Sequence, residues 1–389
     1  MKILWLASWY PSEADPYNGD FVQRQARALA QFHRLTVIHT VKDDRNLFES
    51  YPHTDIRVSG NLTEIIVYYR PSTGALGLLS RMNSTLLFRK YFREAVERWL
   101  RHGGKPDILH LHVPYKAGLV ALWMKRHLAI PYLLTEHWAG YTTENPDSYF
   151  KRPLTFRTLL DKIFRSADTV ITLSAEMDRT LRQLFHIVET RIIPNVVNVE
   201  LFNGEGTNRQ RKTRFIHVSS MVYQKNVEGI LNALSKLWEN EKNWEIVMVG
   251  PARNELKTLA TSLGLADAIQ WTGEVHYEQV ALEMAKSHAL VMFSRFENQP
   301  CVVLEALCSG LPVISTAVGG IPEIIGDENG RLIANGDEEA LVSYLEQFVK
   351  GEIKFDSEAI SMAAINRFSY AVVGQQLADC YEEFLVTRN

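Results

Sequence analysis

Only three cysteines, Cys301, Cys308 and Cys380, occur in 389 residues, and no two stand as C-x-x-C. That excludes a disulfide framework and a cysteine-bound zinc, and it points to a reducing compartment. Nowhere does an apolar run approach the roughly 18–20 residues that cross a bilayer. The opening MKILWLASWYP carries one lysine and an apolar stretch ended by Tyr10 and Pro11. It is too short for a signal-peptide core with its cleavage site and reads as a buried first strand. The expected location is cytoplasmic. No charge of one sign dominates: the net charge is −3, and no basic stretch is interleaved with stacking aromatics, so nucleic acid is not an expected partner. No G-x-G-x-x-G follows the first strand, which excludes a Rossmann dehydrogenase. No D-x-D pair of metal-binding carboxylates occurs either. No metal and no other cofactor is expected.

What is present is an ordinary globular mixture, 46% hydrophobic and 22% charged. The length exceeds one compact core, so two domains of about 150–200 residues are expected. The first 200 residues hold 26 Lys and Arg against 20 Asp and Glu, the remainder 16 against 25. A basic front half and an acidic back half suit two domains with different partners. Short β-branched runs alternate with amphipathic segments in both halves. KILWLAS, RLTVIHT, EIIVYY, DILHLHV, YLLTEH, TVITLS and RIIPN read as strands of the first. RFIHVSS, EIVMVG, AIQWTG, ALVMFS, PVISTA and GRLIA repeat the scheme. Helical patterns fall on Phe21–Gln31, Leu86–Arg101 and Ala117–His127, with a last one over Tyr370–Leu385. Continuous apolar strands separated by helices predict an α/β fold of two doubly wound parallel sheets. The polar stretch NGEGTNRQRKT marks the boundary, and a ligand is expected between the domains at the strands' carboxyl ends.

The segment 293–325, FSRFENQPCVVLEALCSGLPVISTAVGGIPEII, is the most informative. A strand ends near Ser294, Glu297 sits in the loop, and Pro300 is expected to open a helix. Glu305 follows about a turn and a half later. The free amides around Asn298, Gln299, Cys301 and Val302, with the helix dipole, make an anion site. Carboxylates beside such a site suit hydroxyl groups, which donate hydrogen bonds to them. Taken singly, Glu297 reads equally as a helix-start carboxylate and Glu305 as a solvated one.

The run of Glu297, Glu305, Ala306, Gly310, Pro312, Val313, Ile314, Gly319, Gly320 and Glu323 resembles the E-x7-E block of retaining glycosyltransferases of family GT4. YPSEADPYNGDFVQRQARAL resembles the family's first glycine loop, IPYLLTEHWAGY its histidine-bearing strand, and IIPNVVNVELF its hinge. The resemblance implies a GT-B fold, two Rossmann-like domains facing across a cleft. The implied division is 1–200 for the acceptor-side domain, 201–366 for the nucleotide-sugar domain and 367–389 for a helix crossing back to the first. It implies that Glu305 holds the donor ribose, Glu297 the transferred sugar and Lys225 the diphosphate. His137 would lie beside the donor sugar, and Gly19 would let its loop approach the phosphates. The implied reaction is metal-independent transfer, with retention, from a UDP- or GDP-sugar to a glycan or lipid-linked acceptor. One departure stands out. Where the family often carries an arginine before the lysine, this chain has Ser220, leaving Lys225 as the one side-chain cation assigned to the diphosphate.

Other signals are weaker. His110 and His112 share a strand face and read as structural, and nothing marks Cys301 as a nucleophile. Segment Arg81–Lys105 is basic, with Leu87, Tyr91, Val96 and Trp99 able to form an apolar stripe. It reads either as a helix with a solvated face or as a membrane-surface patch that finds lipid-linked acceptors. Two rival functions remain at this point: a nucleotide-sugar epimerase on the same plan, and a weakened donor-binding subunit, suggested by the missing arginine.

Overall fold

The computed structural model of the chain describes residues 1–70, 78–204 and 212–387. The middle of the polar stretch NGEGTNRQRKT and the side chain of Arg81 lie outside the described residues.

Eight strands form the first sheet: β1 (Lys2–Ala7), β2 (Arg34–Lys42), β3 (His53–Ser59), β4 (Leu62–Tyr69), β5 (Ile108–His112), β6 (Leu133–Thr135), β7 (Thr169–Thr172) and β8 (Thr190–Ile192). They lie in the order β3-β4-β2-β1-β5-β6-β7-β8. All neighbours run parallel except β3, which pairs antiparallel with β4. The second sheet contains β9 (Thr213–Val218), β10 (Trp244–Val249), β11 (Ile269–Gly273), β12 (Ala289–Met292), β13 (Val313–Thr316) and β14 (Gly330–Ile333). Its order is β11-β10-β9-β12-β13-β14, parallel throughout. The apolar runs become strands because helices cover the sheets, leaving the central strands β1, β5, β6, β7, β10, β12 and β13 almost wholly buried.

β3 is a strand that sequence reasoning missed. HTDIRVS has no buried residue and is mostly polar, so it lacks the apolar run that marked the others. Segment Arg81–Lys105 falls in helix Leu78–Gly103, which packs on the first sheet through Phe88, Phe92 and Val96. The expected stripe was therefore shifted: Leu87, Tyr91 and Trp99 only flank that buried seam.

The chain crosses between the domains twice, and the crossings are bonded together. Val197 N–H donates to Phe368 O at 2.8 Å, and Val197 forms a bridge with Ser369. Beyond it, helix Tyr370–Val386 joins the first domain's core through Val373, Leu377, Tyr381 and Phe384. Tyr381 is also tied by its hydroxyl, which accepts from Trp5 Nε1 at 3.0 Å and lies 2.5 Å from His110 Nδ1. The other His110 nitrogen meets Thr135 Oγ1 at 2.7 Å. A neutral imidazole satisfies both contacts, so His110 is a structural histidine anchoring the last helix.

Burial holds five histidines neutral. It lowers His39 and His217 to about 4 and His137 to about 3, and it pushes His110 and His112 well below the ordinary value. The unfolded chain would protonate all five near pH 6.5. Their contribution is thus present above that pH and lost as pH falls below it. Burial acts oppositely on Glu136, raised to about 7, and on Glu176 and Glu305, also raised; these three favour the fold at lower pH. Five histidines against three carboxylates leave a net loss in acid. Stability should fall by at least about 1.4 kcal/mol between pH 6 and pH 5, the equivalent of one net proton. Urea unfolding at the two pH values checks this, and equal stabilities would contradict it.

Candidate active site

Open parallel sheets place their ligand crevice where strand order reverses, here between β1 and β5 in one domain and β9 and β12 in the other. Loops from these carboxyl ends wall a cavity of about 570 Å³, inside the range of about 300–1,000 Å³ for small-molecule sites. Glu297, Asn298, Gln299, Cys301, Val302 and Glu305 line it from the second domain, and His137 lines it from the first. Gly19 and Lys225 do not.

The chain leaving β12 enters helix Cys301–Cys308, with Pro300 at the N-cap rather than inside the helix as expected. No side chain caps this end, so the first-turn amides of Cys301 and Val302 sit unclaimed by a cap on the cavity wall. Burial pushes the Cys301 thiol up to about 12, which leaves it protonated and unsuited to attack. Glu305, one turn on, is buried. Tyr277 Oη donates to its carboxylate at 2.9 Å, and Arg24 Nη1 stands 3.5 Å away. Burial raises the Glu305 pKa; Arg24 and then the Tyr277 hydrogen bond oppose the rise.

Glu297 lies on the loop before the helix, its Oε1 2.5 Å from Lys225 Nζ and its Oε2 accepting from Gln224 Nε2 at 3.1 Å. The glycine pair of the motif makes this loop possible. A Cβ on Gly319, at φ +58, would come 2.1 Å from Glu297 O, and Gly320 N–H donates to Asn298 O at 2.8 Å. The carboxylate is therefore held by backbone that no larger residue would permit.

The expected residues also have partners within the fold. Lys225 is paired with Glu297 and does not itself line the cavity. Gly19, at φ +71, is required by its own domain: a Cβ there would lie 2.5 Å from Trp9 C. Gln299 is committed across the cleft. Its Nε2 donates to Leu173 O at 2.8 Å, and its Oε1 accepts from Asn195 N–H at 2.7 Å. Asn298 Nδ2 likewise contacts His137 O at 3.4 Å and Met177 Sδ at 3.1 Å, while its Oδ1 is buried without a partner. These two residues join the domains. The His137 ring lies 4.7 Å from that of Phe21, tilted by 38°, with Nε2 3.4 Å from His112 Nδ1 and Nδ1 buried unpartnered.

Two participants were missed. Arg24, from helix Asp20–Leu29, brings a cation to the cavity wall itself, which Lys225 does not. It is buried, lies over the Tyr277 ring at 4.8 Å, bonds Asp20 at 2.8 Å and keeps Nε unpartnered. Glu323 reaches across to accept from Ala175 N–H at 2.7 Å and Glu176 N–H at 2.8 Å. It thereby answers first-turn donors of helix Ala175–Phe185 in the other domain. The glutamate of G-G-x-x-E had been quoted as part of the motif without a role; the amphipathic pattern around Arg24 gave no sign of its burial.

A model described as "Glycosyl transferases group 1" matches residues 200–366, and one described as "Glycosyltransferase Family 4" matches residues 19–201. Together they run through both domains. The chain is a glycosyltransferase of this family. As such it is an enzyme that transfers sugars to acceptors. A glycosyltransferase of Bacillus subtilis (strain 168), TuaC, named for teichuronic acid biosynthesis, is 25% identical over 374 residues, covering 91% of this chain and 90% of that protein. A lipopolysaccharide 1,6-galactosyltransferase of Escherichia coli (strain K12) is 32% identical over 201 residues, 49% of this chain and 52% of that one. Among solved structures, sucrose-phosphate synthase from Thermosynechococcus elongatus superposes with a TM-score of 0.81 at 20% identity, over the whole of both chains. The HepE protein of Anabaena in complex with UDP gives 0.72 at 18% identity, covering 98% of this chain and all of that one. These superpositions establish the GT-B fold of this glycosyltransferase.

Proposed function

We propose that the glycosyltransferase takes its sugar from a nucleotide diphosphate donor, UDP- or GDP-linked, without a metal and with retention, and passes it to a glycan or lipid-linked acceptor. The observation that carries the reading is the pair of buried carboxylates flanking an uncapped helix start on one cavity wall. Glu305 would accept from ribose hydroxyls and Glu297 from those of the transferred sugar. The Cys301 and Val302 amides, Arg24 and a released Lys225 would meet the diphosphate. Breaking the glycosyl–phosphate bond builds negative charge on that group, and prearranged donors of this kind stabilise it.

Retention fits the first domain's side of the cavity. Inverting transfer needs a base to take the acceptor's proton. There, Asp20 is bonded to Arg24, and His137, lowered to about 3 by burial, is too weak. With retention, the proton can pass to the leaving diphosphate oxygen.

Melting curves with UDP, GDP and ADP test the donor class, since the matching nucleotide raises the melting temperature by mass action. A chain unmoved by all three would contradict the reading. Activity should persist in EDTA; its complete loss, restored by magnesium or manganese, would overturn metal independence.

Among the described residues no helix is long and apolar enough to cross a membrane. A surface contact is nevertheless supported beside helix Leu78–Gly103. There Ile56 and Val58 on β3 are 60% and 70% exposed. A groove of about 410 Å³ runs between Ile56 and the helix, with Glu94 and Arg98 on its wall. Apolar side chains next to the basic residues of this helix suit an anionic bilayer surface. Sedimentation with phosphatidylserine vesicles but not with phosphatidylcholine vesicles is expected; equal recovery with both would remove the membrane contact.

A further inference from the structure

A second, smaller cavity of about 160 Å³ adjoins the donor cavity in the first domain. Trp9 and Trp138 line both spaces, so the two indoles form the partition between them. Tyr115 and Phe156, with ring centroids 4.8 Å apart, supply a further wall. The volume equals that of about five waters, room for one sugar ring and not for a nucleotide.

The partition is built into the fold. A Cβ on Gly140 would fall 1.9 Å from Trp138 Cε2, so the indole is seated against a residue that must be glycine. Trp138 also meets Tyr141 edge-on at 5.2 Å and Phe156 at 6.2 Å. Val113, on the opposite side, holds φ +60. For a β-branched residue that is a strained conformation, and such strain concentrates at working sites.

Two charged groups line this space, and they differ in what they have left to offer. Glu136 is fully used: Tyr141 Oη donates to its Oε2, and the amides of His137 and Trp138 donate to Oε1 at 2.7 and 2.9 Å. Arg152 is not. Its side chain is 38% exposed, and the carboxylate it meets, Asp147, stands 3.5 Å from Nη2 and is 79% exposed. Its guanidinium lies 5.9 Å from the Trp138 ring and 5.6 Å from that of Phe156. Planar Nη–H donors over aromatic faces, paired only at that longer distance, are suited to a carboxylate or phosphate.

We propose that this cavity is the acceptor subsite, taking a sugar ring that bears an anionic group held by Arg152. The proposal rests on the transferase reading above. The weakly positive C–H faces of the ring would lie on the negative π faces of the aromatic walls. The acceptor hydroxyl would enter between Trp9 and Trp138. Its oxygen forms the bond to the anomeric carbon as the bond from that carbon to the diphosphate oxygen breaks, and its proton leaves with the diphosphate.

Tryptophan fluorescence, reporting on Trp9 and Trp138, tests this by titration with methyl glucuronide, glucose 6-phosphate and neutral methyl glucoside. Both charged sugars, or one of them, should bind at least about 10-fold tighter than the neutral one, as a charge-assisted hydrogen bond requires; the tighter of the two identifies the anion. Arg152→Gln should erase the preference, and Phe156→Ala should weaken all three. No preference in the native protein, or a preference that survives Arg152→Gln, would overturn the proposal. Melting with UDP and GDP on the same samples separates the two levels. A nucleotide response without any sugar response sinks the subsite alone, whereas no response to either sinks the nucleotide-donor reading on which it rests.

Discussion

Lys225→Ala is expected to lower turnover by about 10²–10³, the range for removing one electrostatic donor from a prearranged site. In the structure its ammonium is held by Glu297 at 2.5 Å, beside the cavity that Glu297 lines. On the proposed reading, Glu297 would turn to sugar hydroxyls and Lys225 to the diphosphate when a donor arrives. Alanine removes the cation and also leaves Glu297, whose side chain is 5% exposed, with Gln224 as its side-chain donor. Other cations nearby are poorly placed to substitute. Arg295 stacks on Tyr223 at 4.2 Å and donates to its carbonyl. Arg253 is 56% exposed and pairs with Glu228. Ser220, where the family often has arginine, is exposed and lines the cavity, so Ser220→Arg has room and should restore part of the loss in the Lys225→Ala background. Steady-state rates decide the matter. Turnover within about threefold of the native enzyme would show that Arg24 or the helix amides carry the phosphate unaided.

Arg24→Ala should cost about 3 kcal/mol of folding stability, the lower end for breaking a buried pair, because the cavity admits some water. The guanidinium is the cation that Glu305 meets across the cleft, and it also bonds Asp20. Removing it leaves a buried carboxylate with the Tyr277 hydroxyl as its remaining side-chain hydrogen bond. Glu305→Gln made alongside should recover part of the loss, since a neutral amide needs no cation. Urea unfolding of the two single variants and the double variant gives the coupling directly. Additive losses would mean that the 3.5 Å contact carries no energy.

The parallel sheets were legible because buried strands must be continuously apolar, as KILWLA and EIVMV are. β3 escaped because its residues face water, yet a signal existed: Gly60–Asn61 between HTDIRVS and LTEIIVYY is a two-residue hairpin connection. The carboxylates of the E-x7-E block could be singled out from spacing, since a loop followed by a helix start brings Glu297 and Glu305 to one wall. Their partners could not. Arg24 and Glu323 act across the cleft on residues 281 and about 148 positions away in sequence, a relation set by domain placement and not by any local pattern. Gly19 and Gln299 show that motif residues also serve the fold: Gly19 packs against the Trp9 backbone, and Gln299 lines the cavity while bonding across the cleft. Ser220 and Lys225 were placed next to the site from sequence, but the Lys225–Glu297 pair became visible only when β9 and β12 were seen to be neighbours.

The central claim is that Glu305 receives the donor nucleotide, and calorimetry with the free nucleotide diphosphate tests it most directly. Glu305→Ala should weaken binding by about 1.5–3 kcal/mol, the worth of hydrogen bonds to a charged group. Glu297→Ala should bind the nucleotide as the native enzyme does and lose affinity or turnover only with the sugar attached. Unchanged nucleotide affinity in Glu305→Ala, with the protein folded, would contradict the assignment.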